Sequence, residues 1–382
     1  MLNPHVTRGG LALVVLALAG VAVWLLSLPP APALGATPPV ATSEMDALLA
    51  ALKPPGHKRP LVAVLALNDA TETTDYLMPT GILRRAGVAD VVTLATGQGP
   101  VRLFPALTVQ ADATIAHFDA RHPAGANYVI VPAMSRDDDP AVLAWLREQS
   151  RKGAIILGVC AGAKVVAAAG LLEGRRATTH WYYLRDMLGK HPAITYVANR
   201  RVVADRGVAT STGISASMPM MLILIEAMAG RRKAEAVARD LGLPSWDLRH
   251  ASHAFTLTRP FAATVLGNVL AFWNRERIGV ALEPGMDEVS LALVADAWSR
   301  TYRSRAVTFA QTSQAVETRN QVRVIPEAVS ADRPSASHTA AFTDQRPAQA
   351  LDQTLRAIAG RYGARTANVV ALQLEYPWSA SP

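Results

Sequence analysis

Along this chain, unbroken apolar runs alternate with amphipathic stretches. Residues 61–67 are continuously apolar, which predicts a strand buried on both faces. Residues 76–86 read as a helix ended by Gly87, 90–95 as a second strand and 128–132 as a third. A helix over 141–152 is closed by Gly153, a fourth strand covers 155–159, and a helix over 161–169 stops at Gly170. Strands alternating with helices imply a parallel sheet with right-handed crossovers, an α/β class. Short strands are expected near Thr195, Val202 and Val208. Apolar helices follow over 215–229 and 232–241.

From residue 278 the pattern starts again. A strand over 278–282, a helix over 287–301, and strands over 306–310 and 322–326 repeat the order and spacing met from residue 61, with few identities. We read this as a degenerate half-copy of the first domain's opening, the alternative being an unrelated βαβ appendage. Residues 330–345 are polar and read as a linker, 348–362 as an amphipathic docking helix, and 369–376 as a buried apolar tail. The expected division is 1–28, 29–60 (a Pro/Ala-rich linker with one short helix over 43–52), 61–258 as the main α/β domain, and 259–382 as a smaller α/β half-domain.

Residues 11–28 are uncharged, strongly apolar and preceded by Arg8. That is the pattern of a signal anchor, an N-terminal transmembrane helix, or of a secretory signal cut near residues 31–36. The anchor reading places the protein as single-pass in a membrane, with the main domain extracytoplasmic, periplasmic in a Gram-negative source. Cleavage would make it secreted.

Of the 382 residues, half are hydrophobic, and the formal net charge is +8. The positive charge is spread out; Arg84-Arg85, Arg175-Arg176 and Arg231-Arg232 sit near helix ends or in loops. No clustered basic face is expected, which argues against nucleic acid as a partner. The single cysteine, Cys160, excludes an intrachain disulfide. Metal-ligand spacings, a Walker loop and a dinucleotide fingerprint after a strand are lacking, so no metal and no cofactor are expected.

The chemistry centres on Gly158-Val159-Cys160-Ala161-Gly162, between a buried strand and a helix. G-x-C-x-G in that context is a nucleophile elbow in its cysteine form. Its sharp turn presents the sulfur at the carboxyl end of the sheet, where open α/β sheets bind ligands. The helix amino terminus favours a thiolate, and the Ala161 N–H points where an oxyanion would form. The alternative is a buried cysteine in a Gly-rich turn. Asp69, Glu72 and Asp75 follow the first strand at the same sheet edge. Asp75 reads as a proton partner for the sulfur or as a helix N-cap. His180 reads as a base, a pocket residue or a structural histidine, and His250 and His253 as part of a surface loop or lid.

These residues resemble the DJ-1/PfpI superfamily, the class I glutamine-amidotransferase-like fold. The string from Gly158 to Ala163, continued over 169–181 to Thr179-His180-Trp181, together with 210–217, is similar to the branch of isocyanide hydratases and GlxA-like domains of AraC-type regulators. The resemblance covers about half the chain, residues 61–258. It implies a flavodoxin-like parallel sheet sandwiched by helices, Cys160 as nucleophile, Asp75 as the acidic residue beside it, His180 near the pocket, and a dimer. Ala161 stands where PfpI-type proteases have histidine and isocyanide hydratases usually threonine. Ala133-Met134 replaces a glycine pair and alters the second oxyanion donor, Ala133. The regulators' helix-turn-helix domain is replaced by strands.

The expected function is a cysteine-nucleophile enzyme acting on a small electrophile, a hydratase or amidase-like hydrolase. The alternatives are a ligand or redox sensor, and a regulator relative lacking its DNA-binding domain. The expected assembly is a homodimer or a pseudo-dimer within one chain, with the half-copy in the partner's place.

Overall fold

The structure is a computed structural model that describes residues 4–32, 37–54, 56, 59–330, 338–340, 342 and 345–378, with side chains from Leu16 onward. Residues 33–36 of the cleavage region read over 31–36, and much of the linker read over 330–345, lie outside the described residues.

In chain order the first half runs α1 (Pro4–Ser27), α2 (Thr42–Ala51), β1 (Leu61–Ala66), β2 (Thr71–Glu72), α3 (Thr73–Ala86), β3 (Asp90–Ala95), β4 (Val101–Phe104), β5 (Thr108–Gln110), β6 (Ala113–Thr114), α4 (Ile115–Arg121) and β7 (Tyr128–Val131). It continues with α5 (Pro140–Arg151), β8 (Ile155–Gly158), α6 (Gly162–Ala168), β9 (Arg176–Ala177), α7 (Trp181–Lys190), β10 (Thr195–Tyr196), β11 (Val202–Asp205), β12 (Val208–Ser211), α8 (Ser217–Ala229), α9 (Arg231–Leu241) and α10 (Arg259–Leu270). The second half holds β13 (Glu276–Ala281), α11 (Glu288–Ser299), β14 (Ser304–Ala310), β15 (Val316–Glu317), β16 (Arg323–Val324), β17 (Ala328–Val329), β18 (His338–Thr339), α12 (Pro347–Tyr362) and α13 (Ala364–Gln373).

The main sheet has seven strands in the order β11-β12-β8-β7-β1-β3-β6, parallel except for the antiparallel β11–β12 edge. The parallel α/β sheet read from the sequence is present. β1 is interior, and all but its first residue are buried, as its unbroken apolar run requires. Helix α3 ends as the sequence indicates: Gly87 takes the left-handed conformation (φ 65°) and its N–H closes onto the Leu83 and Arg84 carbonyls.

The expected membrane anchor is corrected. Its sequence forms α1, but among the described residues no helix is long and apolar enough to cross a membrane. The single-pass placement falls with it, and with that the ground on which the membrane as a partner and an extracytoplasmic main domain were expected. The carboxyl end of α1 is tied to the body. Arg259 donates to the carbonyls of Leu25, Leu26 and Leu28 at 2.9–3.2 Å, and its backbone N–H to that of Pro29 at 2.8 Å, filling orphan acceptors at the helix end.

The second half carries a four-stranded sheet, β17-β14-β13-β18. Its helix, second strand and hairpin follow the first half at an offset of 215 residues, the distance from Thr73 to Glu288, while β13 pairs with β14 one residue out of that register. The hairpin register Val101↔Val109 recurs as Val316↔Val324, and Leu94↔Ala113 recurs as Phe309↔Ala328. Both helices start on an acidic N-cap, Glu72 and Asp287. Val109 pairs with its own counterpart Val324, flanked by Gln110↔Arg323. A local two-fold axis therefore passes between these two valines.

Helices α3 and α11 pack against each other across that axis. Twelve of the 14 residues of α3 and 11 of the 12 of α11 are buried, so this contact joins the two halves through core. Two ion pairs obey the same symmetry. Arg85 reaches Asp287, and its counterpart Arg300 reaches Glu72 at 2.7 Å. At the centre Gly81 leaves room for buried Glu288; a Cβ there would stand 2.2 Å from the Glu288 carboxylate.

Candidate active site

Cys160 sits between β8 and α6 with φ 54°, a left-handed conformation costing a side-chain-bearing residue about 1–3 kcal/mol. The surroundings hold it there. Its N–H donates to Ser211 Oγ at 3.1 Å, and its carbonyl accepts from Thr179 Oγ1 at 3.0 Å. Gly162 is obligatory at this turn, since a Cβ there would meet the Val131 carbonyl oxygen at 1.9 Å. The sulfur residue is only 3% exposed.

Asp75 lies in the first turn of α3 and is wholly buried. It is not the N-cap. Glu72 is, accepting the Asp75 N–H at 2.6 Å and the Thr74 hydroxyl at 2.8 Å. Asp75 Oδ2 accepts from the Ala133 N–H at 3.2 Å, while Oδ1 is buried without a partner. Burial, then the nearby Glu72 charge, pushes the Asp75 carboxyl well up from its ordinary range. Burial and Asp296 push Glu72 up to about 7 against the pull of Arg300. Three buried carboxyl groups, on Glu72, Asp75 and Asp296, thus share the one Arg300 guanidinium, which bonds Asp296 at 2.8 Å.

For the Cys160 thiol, burial pushes the ionisation up, and the charges of Asp75, Glu72 and Glu375 push the same way; the Ala161 N–H pulls it down. The sequence-based expectation of a thiolate favoured by the helix end is therefore opposed in this state by burial and like charge. Ala161 N–H does face the sulfur. The second oxyanion donor is corrected: the Ala133 N–H is spent on Asp75, and its carbonyl accepts from Glu72 N–H at 2.8 Å.

His180 caps α7, its Nδ1 accepting from the Tyr182 N–H at 3.2 Å. Nε2 then carries the proton and faces the Gln373 carbonyl at 2.9 Å. Both ring nitrogens are engaged, and burial holds the imidazole below its usual range. His250, read as part of a surface loop or lid, is buried instead and lies 3.2 Å from Glu375. Sequence reasoning also missed Arg300 and Glu375, which belong to the second half. A single acid inside the apolar stretch 369–376 was the available signal, because a buried carboxylate needs partners.

Residues 61–227 match the family model described as DJ-1/PfpI family. Isonitrile hydratase from Pseudomonas putida is 38% identical over 104 residues, 27% of this chain and 44% of that protein. Parkinson disease protein 7 homolog from Danio rerio is 28% identical over 47% of this chain and 95% of its own length. The HTH-type transcriptional regulator GlxA of Rhizobium meliloti is 28% identical over 62% of this chain and 71% of the regulator. The chain thus spans less than half of the hydratase it matches. Among solved structures, a DJ-1 superfamily protein from Salmonella typhimurium is 26% identical with a TM-score of 0.43, covering 49% of this chain and all of that one. The elbow cysteine, the acidic turn of α3 and the sheet that joins them belong to a DJ-1/PfpI family domain.

Proposed function

We propose that Cys160 is the nucleophile of an enzyme that adds water to a small electrophilic substrate, of the hydratase or amidase-like kind. One observation carries the reading: a strained, left-handed cysteine, braced by Ser211 and Thr179, stands beside the buried carboxyl of Asp75, whose Oδ1 has no partner. Strain of this sort persists where function requires it. The sulfur bonds to the electrophilic carbon. Asp75 enters protonated, gives its proton to the substrate atom that gains charge, and takes the proton of the thiol. Water then adds to the carbon, the C–S bond breaks, and the thiol is restored. The likeness to isonitrile hydratase supports this class of chemistry. Ala161 and Ala133 in the loops around the sulfur mark where a substrate differs from that relative's. Arg300, from the second half, positions Glu72 beside Asp75.

A redox or ligand sensor is the second reading, favoured by the closed, raised thiol; a regulator relative without its DNA-binding part is the third. Isocyanides, primary amides and 2-oxoaldehydes should be offered to the wild type and to Cys160→Ser. Turnover by the wild type alone is expected. Absence of turnover across all three classes would move the protein to the sensor reading.

A further inference from the structure

Beside the elbow the chain has built a receptor for a carboxylate, and fills it with one of its own. Glu375 is 2% exposed and has φ 49°. Its Oε1 accepts the Trp181 N–H, at the start of α7, at 2.6 Å. Its Oε2 accepts the Gly213 N–H at 2.8 Å and lies 3.2 Å from His250 Nε2. The backbone around it is clamped too: Ser215 Oγ donates to the Glu375 carbonyl at 2.7 Å, and Trp181 Nε1 to the Leu372 carbonyl at 3.0 Å. A Cβ on Gly213 would come within 2.6 Å of Glu375, so glycine is needed for this fit. Phe255 stacks on the His250 ring (5.1 Å, 8°) and fixes its orientation.

Two further observations point past a purely structural contact. A cavity of about 310 Å³ adjoins the carboxylate, lined by Thr179, Tyr196, Thr212, His250 and Phe255. Thr212 is nine-tenths buried, and its hydroxyl has no partner. The cavity thus offers an unused hydroxyl next to a formed anion cradle, with room for the rest of a molecule. Burial pushes Glu375 up, yet the hydrogen bond from His250 and the field of His180 and His250 outweigh it and hold the carboxyl below its usual range. The cradle favours the anion.

We propose that Trp181 N–H, Gly213 N–H, His250 and Thr212 form a binding site for a small carboxylic acid, and that Glu375 occupies its anion position in cis. The site holds whether or not Cys160 turns over a substrate. Thr179 joins the two: it lines the cavity and bonds the Cys160 carbonyl. A carboxylate ligand displacing Glu375 would place its body in the cavity, within electrostatic reach of the sulfur.

The chain has one cysteine, so alkylation reports Cys160 alone. In Glu375→Ala, iodoacetate labelling is expected to rise at least about tenfold more than iodoacetamide labelling, to saturate, and to be slowed by millimolar acetate but not by chloride. Acetate should also raise the melting temperature of that variant, and not that of the wild type at the same concentration. Equal acceleration of both reagents, without saturation or acetate competition, would mean that Glu375 is only a plug and would overturn the site. Unchanged labelling with no effect of acetate overturns it as well. Should Glu375→Ala not fold, recovery of the fold in acetate but not chloride supports the site. If neither salt recovers it, the same two reagents are compared on Glu375→Gln, where equal labelling again counts against it. A failed turnover screen with a positive acetate response separates this inference from the enzyme reading.

Discussion

The openings of the two halves, β1-α3-β3 and β13-α11-β14, share element order, hairpin registers and acidic helix caps, yet they have been put to different uses. In the first, α3 carries Asp75 to a sheet edge completed by the β8 elbow. In the second, Ser290 stands at the position of Asp75, and among the described residues α12 and α13 follow β18 with no strand-cysteine-helix turn. What the second half retains is the packing face. Arg300, the counterpart of Arg85, is directed into the first half's carboxyl cluster. We propose that the second half is a repeated unit that has lost its own chemistry and persists as a support for its neighbour's. On this reading the second half stands in for a partner subunit.

The sharpest way to break the comparison is to exchange the two symmetry-related arginines in turn. Arg300 is enclosed with Glu72 and Asp296, and removing one member of a buried ion cluster costs about 3–5 kcal/mol. Arg85 meets Asp287 and the more open Asp240. Urea unfolding should show Arg300→Met losing about 3–5 kcal/mol and Arg85→Met roughly half that; equal losses would mean that the two halves lean on each other evenly.

A smaller effect is expected at the axis. Gly81→Ala presses on Glu288, which is buried and held by Asn320 at 2.6 Å, so it cannot swing away freely. Overpacking of this kind costs about 1–3 kcal/mol. A Gly81→Ala protein with unchanged stability would show that the halves can slide apart at no cost. Light scattering of the same variant should still report the wild type's mass, because the contact it strains lies within one chain.

The smallest effect is a slope. The folded values of Glu72 and Asp75 are raised, by burial first, so the native state keeps protons that the unfolded chain has released. Their contribution is complete below the unfolded carboxyl values and is lost as the pH rises, through about 7 for Glu72. Each such group contributes about 1.4 kcal/mol per pH unit. Asp75→Asn should flatten the decline in stability between pH 5 and 8. An identical slope in the variant would show that Asp75 is ionised in the folded protein after all.

Much of this was legible in the sequence, and for local reasons. The apolar run of β1, the glycine stop after α3 and the G-x-C-x-G turn each state their structure within a few residues. The carboxyl end of the sheet then follows from strand order, which brings Asp75 to the elbow's side. What could not be read was set by distance along the chain. Arg300 and Glu375 come from elements with no motif of their own, and the N–H of Ala133 was free in the sequence but claimed by Asp75 in the fold. His250 looked like a loop residue because only Glu375 gives it a reason to be buried. The apolar segment at the start was over-read: hydropathy alone cannot tell a span from a helix whose end is tied down by Arg259.

The separation between Cys160 and its cover also sets a schedule. The 215 positions from Cys160 to Glu375 (375 less 160) take roughly 10–40 s to translate at about 5–20 residues per second. Until Arg300 is made, 140 positions after Cys160 (300 less 160), the elbow can form on the ribosome with neither that buried cation nor the carboxylate of Glu375 in place, and for the rest of the interval it still lacks Glu375. The sulfur is made early and shielded late, so its exposure to oxidants during synthesis is governed by the pace of the ribosome rather than by the stability of the finished fold.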